Sequence, residues 1–294
     1  MDFGAPRIIS LLERALQEDH ALSDTTTRLT VEEEQLGQAE IVAKQECVLA
    51  GQGLIPRVFE TFARLAGTGA ARKPPVVFTH RADIFDGVKL QPGQTVAVLR
   101  GPAQSLLSCE RVTLNFLQRL GGIATLTRQY VDAIRGLPVT LIDTRKTAPG
   151  MRALDKYAVT CGGGHNHRSD LSDAILIKNN HIRLAGGIPV ALERARARRR
   201  AGQFIEIEVR TTAEMRQALE GGADRLLLDN MTPDQIRTAL VEIAGRVPVE
   251  VSGGIRLDTV RAYAETGADY ISVGALTHSA PAVDFSMRII PVGT

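Results

Sequence analysis

The chain has 294 residues, 44% apolar and 23% charged, enough to bury a sizeable core in one large or two ordinary domains and unlike a disordered or collagen-like chain. Its 35 Lys+Arg against 33 Asp+Glu leave a net charge of +2, which argues against a strongly electrostatic, whole-surface nucleic-acid binder and makes any basic site local. Cys47, Cys109 and Cys161 are odd in number and contain no C-x-x-C, so they indicate neither a disulfide framework nor a zinc cluster and fit a reducing compartment.

The apolar stretch from Ile8 to Leu16 is broken by Glu13 and Arg14, so it reads as an amphipathic helix beginning near Pro6 rather than a membrane segment, and the chain reads as cytoplasmic. Residues 1 to about 100 then mix alternating segments, Gln38 to Val42 and Val76 to Thr79, with turns such as Gln91-Pro92-Gly93-Gln94, an α+β pattern. From Pro102 to Arg135 the pattern is helical, with Gln104, Ser108, Arg111, Asn115 and Gln118 on one polar face and Gly121-Gly122 as the expected break.

In the second half, β-rich runs begin near Phe204, Arg225, Val247 and Asp269, about 22 residues apart. Between them Thr211 or Thr212 can cap one helix, Pro233 opens another, and Arg256 to Thr266 supplies a third. Val139 to Asp143 and Ala174 to Lys178 fit as earlier strands, giving at least six βα units over roughly 120 to 276. The regular repeat, with no G-x-G-x-x-G opening a helix, favours a parallel α/β barrel, incomplete at this length, over a doubly wound sheet.

Chemistry in such a barrel gathers where strands end. Those ends carry Asp143 with Thr144-Arg145-Lys146, then Lys178, Glu208, Asp229-Asn230, Ser252-Gly253-Gly254 and Gly274, with His167 and Arg168 in a loop. Taken singly, Arg145-Lys146 reads as a solvated loop, Lys178 as a strand terminator and Glu208 as an outward residue. Together, cations at the early ends and carboxylates and glycines at the later ones suit one polyanionic substrate. Glycines on the last two strands let backbone N–H groups approach a phosphate. Glu208 and Asp229 suit a hydrated Mg²⁺ shared with a diphosphate. Gly162-Gly163-Gly164-His165-Asn166-His167 invites a zinc reading, disfavoured because the later strand ends offer no further histidines. Cys161 is read as a small buried thiol rather than a nucleophile, and Arg194 to Arg200 as a solvated helix face.

Asp143-Thr-Arg-Lys-Thr, Gly162-Gly-Gly-His-Asn-His-Arg168, Leu176-Ile-Lys-Asn-Asn-His181, Leu228-Asp-Asn230, Ser252-Gly-Gly254 and Val273-Gly-Ala-Leu-Thr-His278 closely resemble the quinolinate phosphoribosyltransferase (carboxylating nicotinate-nucleotide diphosphorylase) family. The resemblance extends to Ser23-Asp24-Thr-Thr26 and Glu110-Arg111-Val-Thr-Leu-Asn115, nearly the whole chain. It implies the type II phosphoribosyltransferase fold: an N-terminal α/β sandwich over 1–115, rejoined by a tail over 280–294, and an incomplete barrel over 116–279. It also implies a homodimer in which one subunit's sandwich helps cover the other's barrel mouth, and no contact with nucleic acid or membrane. The implied reaction is a pentosyl transfer from phosphoribosyl diphosphate to quinolinate, with Mg²⁺ and no organic cofactor, giving nicotinate mononucleotide, CO₂ and diphosphate in NAD synthesis.

By that resemblance Arg111 (from the neighbouring subunit), Arg145 and Arg168 clamp the substrate carboxylates with His167 and Lys178 beside them. Lys146 sits near diphosphate, Glu208 and Asp229 bind ribose hydroxyls or Mg²⁺, and Ser252, Gly253, Gly254 and Gly274 hold the 5′-phosphate. Lys146, Glu208 and Asp229 are the expected catalytic group. Ser169-Asp170 departs from the small or neutral pair expected of relatives, and Asp170 is expected at the surface. The competing readings are a molybdate-uptake-associated homologue, a phosphoribosyltransferase for another pyridine acid, a Schiff-base aldolase using Lys178, and a non-catalytic anion-binding protein.

Overall fold

The computed structural model describes residues 1–67 and 74–292. The chain forms two compact units: Met1–Leu126 with Thr160–Gly162 and the segment from Ala280 onward, and Thr127–Val159 with Gly163–Ser279.

In the first unit Pro6 stands at the start of α1 (Pro6–Glu18), where a missing N–H costs nothing, and Ile8, Leu12 and Leu16 recur every four residues on its buried face. Asp24 caps α2 (Thr25–Thr30), its side chain accepting from the Thr27 N–H at 3.0 Å and from Ser108 Oγ at 3.2 Å, so the Ser23-Asp24-Thr-Thr26 string is a helix start. A four-stranded antiparallel sheet has the order β12 (Phe285–Pro291), β1 (Leu36–Ala43), β5 (Thr95–Pro102), β3 (Val77–Thr79). Along β1, alternate residues Gly37, Ala39, Ile41 and Ala43 are buried, the period-2 mark of a sheet with one covered face. Helix α3 (Leu54–Ala66) buries Leu54, Ile55, Val58 and Phe59, and β2 (Cys47–Val48) pairs with β4 (Lys89–Leu90).

The expected break at Gly121-Gly122 does not occur: α4 runs unbroken from Ala103 to Ala133. A Cβ on Gly122 would stand 2.1 Å from the Pro281 carbonyl oxygen, and one on Gly121 would stand 2.7 Å from Val283, so the glycines admit the returning tail rather than end the helix.

In the second unit six parallel strands follow the order β6 (Thr140–Ile142), β11 (Tyr270–Ser272), β10 (Val249–Ser252), β9 (Arg225–Asp229), β8 (Ile205–Val209), β7 (Ile175–Ile177). Helices α5 (Arg152–Cys161), α6 (Asn179–Ala185), α7 (Ile188–Arg198), α8 (Thr212–Glu220), α9 (Pro233–Ile243), α10 (Val260–Ala264) and α11 (Ala275–His278) fall between or after them. The first two strands of this unit in sequence, β6 and β7, stand at opposite edges and do not pair, which leaves the barrel incomplete. Beside β6, His165 donates its N–H to Leu141 and accepts from the Asp143 N–H, at 2.9 and 3.0 Å, adding a short further rung. Thr211 caps α8, and Thr232 with Gln235 forms a capping box ahead of Pro233 in α9. All of β8 is buried, yet its alternation is Ile-Glu-Ile-Glu-Val, so Glu206 and Glu208 share one face and Ile205, Ile207 and Val209 the other. Among the described residues no helix is long and apolar enough to cross a membrane.

Candidate active site

The C-terminal ends of these strands surround a cleft of about 550 Å³, lined by Arg145, Lys146, His167, Arg168, Lys178, Glu208, Asp229, Ser252, Gly253 and Gly254, among others. The early strand ends thus supply its cations and the later ones its carboxylates and glycines. Arg145 keeps a buried Nε with no hydrogen-bond partner. Burial and the neighbouring charge of Arg145 both hold the Arg168 guanidinium below its usual pKa. Two guanidiniums crowded together, one with an orphaned buried donor, favour an anion between them.

The strap from Gly162 to Arg168 is held by a buried ion pair. Asp143, fully buried at the end of β6, pairs with the Lys156 ammonium of α5, and Asp143 Oδ1 accepts the His167 N–H at 2.8 Å. Lys156 also donates to the His167 carbonyl at 3.0 Å, and the Asn166 side-chain amide donates to Asp143 Oδ2 at 2.7 Å. Burial raises the Asp143 pKa, and the bond from Lys156 works against that rise. Asp143 therefore belongs to the strap's anchorage and not to the lining of the mouth.

Glu208 and Asp229 end β8 and β9, with side-chain exposures of 9% and 15%. Asn230 follows in the left-handed region at φ 58°, its side chain donating to Asp229 Oδ2 at 2.9 Å. Gly253, at φ +101°, lies so close that an added Cβ would meet Asn230 Oδ1 at 2.3 Å and its backbone N at 2.8 Å. Gly253→Ala is expected to misplace both the Asp229-Asn230 end and the glycine turn. Affinity for inorganic phosphate, followed by calorimetry, should fall at least ~10-fold, since strained backbone of this kind costs ~1–3 kcal/mol. A Cβ on Gly274 would meet Lys146 Cδ at 3.0 Å and His278 at 3.2 Å, so Gly274 is what lets the Lys146 stem cross the end of β11.

Two domain families match the chain: "Quinolinate phosphoribosyl transferase, N-terminal domain" over residues 24–121 and its C-terminal domain over 123–288. The chain belongs to the quinolinate phosphoribosyltransferase family. A curated relative from Bacillus subtilis (strain 168), named a probable nicotinate-nucleotide pyrophosphorylase [carboxylating], is 41% identical over 95% of this chain and 92% of its own length. A tobacco (Nicotiana tabacum) quinolinate phosphoribosyltransferase [decarboxylating] 1b is 37% identical over 95% of this chain and 81% of its own. The crystal structure of NadC from Streptococcus pyogenes superposes with a TM-score of 0.88 at 40% identity, covering 97% of this chain and 96% of that one.

Beneath the mouth of this quinolinate phosphoribosyltransferase fold lies an ion cluster that sequence reasoning missed. His167 Nε2 faces Glu206 Oε2 at 3.1 Å and Glu250 Oε2 at 3.3 Å, and Arg225 Nη1 stands 4.0 Å from both carboxyls. The Arg225 guanidinium stacks over Tyr270 at 4.2 Å and Phe204 at 5.0 Å. Two basic groups thus face two acidic ones, although Glu206 Oε1 and Glu250 Oε2 have no hydrogen-bond partner, and His167, which also lines the mouth, turns its Nε2 toward this cluster. The His165-x-His167 zinc pair is not formed here: among the described residues the group close enough to share a metal is His167 with Glu206 and Glu250, without His165.

Burial lowers the His167 pKa, but the bonds to Glu206 and Glu250 outweigh it and raise the pKa to about 9. Burial, with the charge of Glu250, raises the Glu206 pKa; against burial, the bond from His167 holds Glu250 below its usual value. The Arg168 N–H donates to His167 Nδ1 at 2.7 Å, so charging the ring gives up that bond. With the folded pKa above the ordinary value of 6.5, the stabilisation is full below about pH 6.5 and is lost as pH rises through about 9. Urea unfolding of wild type and His167→Gln between pH 6 and 10 is expected to show the wild-type advantage shrinking across that window.

The remaining family positions divide. Arg111 lies on α4 in the first unit, with an exposed side chain 4.0 Å from Glu110, and is not among the residues lining the mouth. Asp170 is at the surface, as expected: it accepts from Ser172 N–H at 2.8 Å and Ser172 Oγ at 2.6 Å, bonds that lower its pKa. Lys178 is half exposed, with its Nζ 3.9 Å from Glu208, unlike the desolvated amine that Schiff-base chemistry needs. Cys161 is half-buried in α5, and residues 194–200 are largely exposed.

Proposed function

We propose that this protein transfers the phosphoribosyl group from phosphoribosyl diphosphate to quinolinate with decarboxylation, forming nicotinate mononucleotide, CO₂ and diphosphate for de novo NAD synthesis. The observation that carries the reading is the crowded Arg145–Arg168 pair with its unpartnered Nε, in the same mouth as a carboxylate pair and a glycine turn. Forked guanidiniums match a dicarboxylate better than point charges do, so Arg145 and Arg168 grip quinolinate with Lys178 beside them. His167 acts from below, tying the strap that carries Arg168 to Glu206 and Glu250. Lys146 faces the diphosphate, and the Ser252-Gly253-Gly254 turn with Gly274 holds the 5′-phosphate. In this reading a homodimer completes the mouth with the partner subunit's Arg111, in the cytoplasm.

The pyridine nitrogen attacks ribose C1′ as the C1′–O bond breaks and its electron pair leaves with diphosphate. Glu208 and Asp229 sit where ribose hydroxyls bind and offset the positive charge developing on the sugar. The C2–carboxylate bond then breaks, its electrons stabilised by the pyridinium, and C2 takes a proton as CO₂ leaves. No covalent enzyme intermediate is needed, and the enzyme contributes orientation and fixed charge. Two carboxylates already spanned by one cationic side chain form a donor set that fits Mg²⁺, which prefers few carboxylates plus substrate oxygens. When bound, Mg²⁺ neutralises charge on the departing diphosphate.

The test is purified protein with phosphoribosyl diphosphate and Mg²⁺, plus quinolinate, nicotinate or neither, following nicotinate mononucleotide and CO₂. Both products are expected only with quinolinate. Activity with nicotinate alone, or none from folded protein, overturns the assignment.

A further inference from the structure

Arg210 opens the loop after β8, and its backbone N–H is fixed by Glu214 Oε2 at 2.7 Å, at the first turn of α8. From there its side chain bridges two strands. Nε donates to Asp229 Oδ2 at 3.1 Å, while Nη2 reaches Asp229 Oδ2 and Glu208 Oε1, each at 3.0 Å. The Arg210 side chain is 48% exposed whereas those of Glu208 and Asp229 beneath it are 9% and 15% exposed, so it caps the pair on the solvent side.

We propose that Arg210 is a tethered counter-cation that keeps free divalent cations off the Glu208–Asp229 pair and yields it when the sugar diphosphate arrives. The inference rests on the reading that this pair serves the ribose and a divalent ion. A tethered group competes at an effective concentration on the order of millimolar, comparable with the free cation it excludes. Its charge-assisted bonds are directed, because a planar fork engages two carboxylates at once and an ammonium cannot. Half its surface meets water, so release is not opposed by burial. The ribose hydroxyls replace its donors, and the freed guanidinium remains at a mouth about to receive an anion. Arg210 is thus a positioning residue that couples cation entry to substrate entry.

The experiment titrates Mn²⁺, as a spin-visible substitute for Mg²⁺, into full-length protein without sugar diphosphate, reading free Mn²⁺ by electron paramagnetic resonance. Arg210→Ala is expected to bind one Mn²⁺ at least ~10-fold more tightly than wild type, a tethered competitor having been removed. Arg210→Lys should fall between them, and Arg210→Ala/Asp229→Asn should lose the gain. Circular dichroism checks folding, and if Arg210→Ala does not fold, Arg210→Lys against wild type decides the matter. Equal affinities in wild type and variant overturn the proposal, as does a gain that survives Asp229→Asn. Failure of the functional reading is separate: it is the absence of quinolinate-dependent product from wild-type protein.

Discussion

Asp143→Ala is expected to lower the unfolding free energy by about 3–5 kcal/mol, the loss typical when one partner of a buried ion pair is removed. Asp143 is fully buried, and Lys156 keeps only 6% of its side chain exposed. The substitution strands an ammonium, the His167 N–H and the Asn166 amide without their shared acceptor. A double replacement, Asp143→Leu with Lys156→Met, removes both charges and should recover much of the stability, because apolar packing often equals a buried pair. Activity should not recover with it, since the His167 N–H and the Asn166 amide have lost their side-chain anchor, even though the His165 backbone bonds to β6 remain. Urea unfolding together with quinolinate turnover separates the two effects. A single variant within ~1 kcal/mol of wild type would show that this network does not hold the strap.

The barrel was legible because each βα unit carries its own punctuation: Thr232-Pro233 at a helix start, a β-rich run, then a charged or glycine-bearing end. The mouth was legible for the same reason, since strand ends share one face whatever the details of register. What failed depends on distant partners. Gly121-Gly122 reads locally as a break, and only the return of Pro281 and Val283 explains it. Glu206 and Arg225 face each other across β8 and β9, a pairing fixed by register rather than by either string. The Ile-Glu-Ile-Glu alternation did contain a signal, because it puts Glu206 on the same face as Glu208. Charged residues on a strand are more often outward, and here they line the inside. The Arg210 bridge was half visible, since Glu208 is two residues away but Asp229 lies 19 residues away on the next strand.

Arg145→Ala is expected to weaken quinolinate binding ~100-fold, within the 2–5 kcal/mol that truncating a hydrogen-bonded charge pair costs. Affinity for phosphoribosyl diphosphate should change little, while Asp229→Ala should show the reverse pattern. Arg145 supplies a buried donor with no partner of its own, and its charge opposes that of Arg168. Removing it therefore relieves repulsion in the free protein, so thermal stability should hold or rise slightly while binding collapses. A purely structural arginine would give the opposite pairing. The same variant tests the shared mouth. If the partner subunit's Arg111 completes each site, mixed dimers of Arg111→Ala and Arg145→Ala chains contain one mouth with both defects and one with neither. Activity should then appear on subunit exchange from two inactive parents. Verified mixed dimers that stay inactive would place Arg111 outside the site and leave the clamp to Arg145, Arg168 and Lys178.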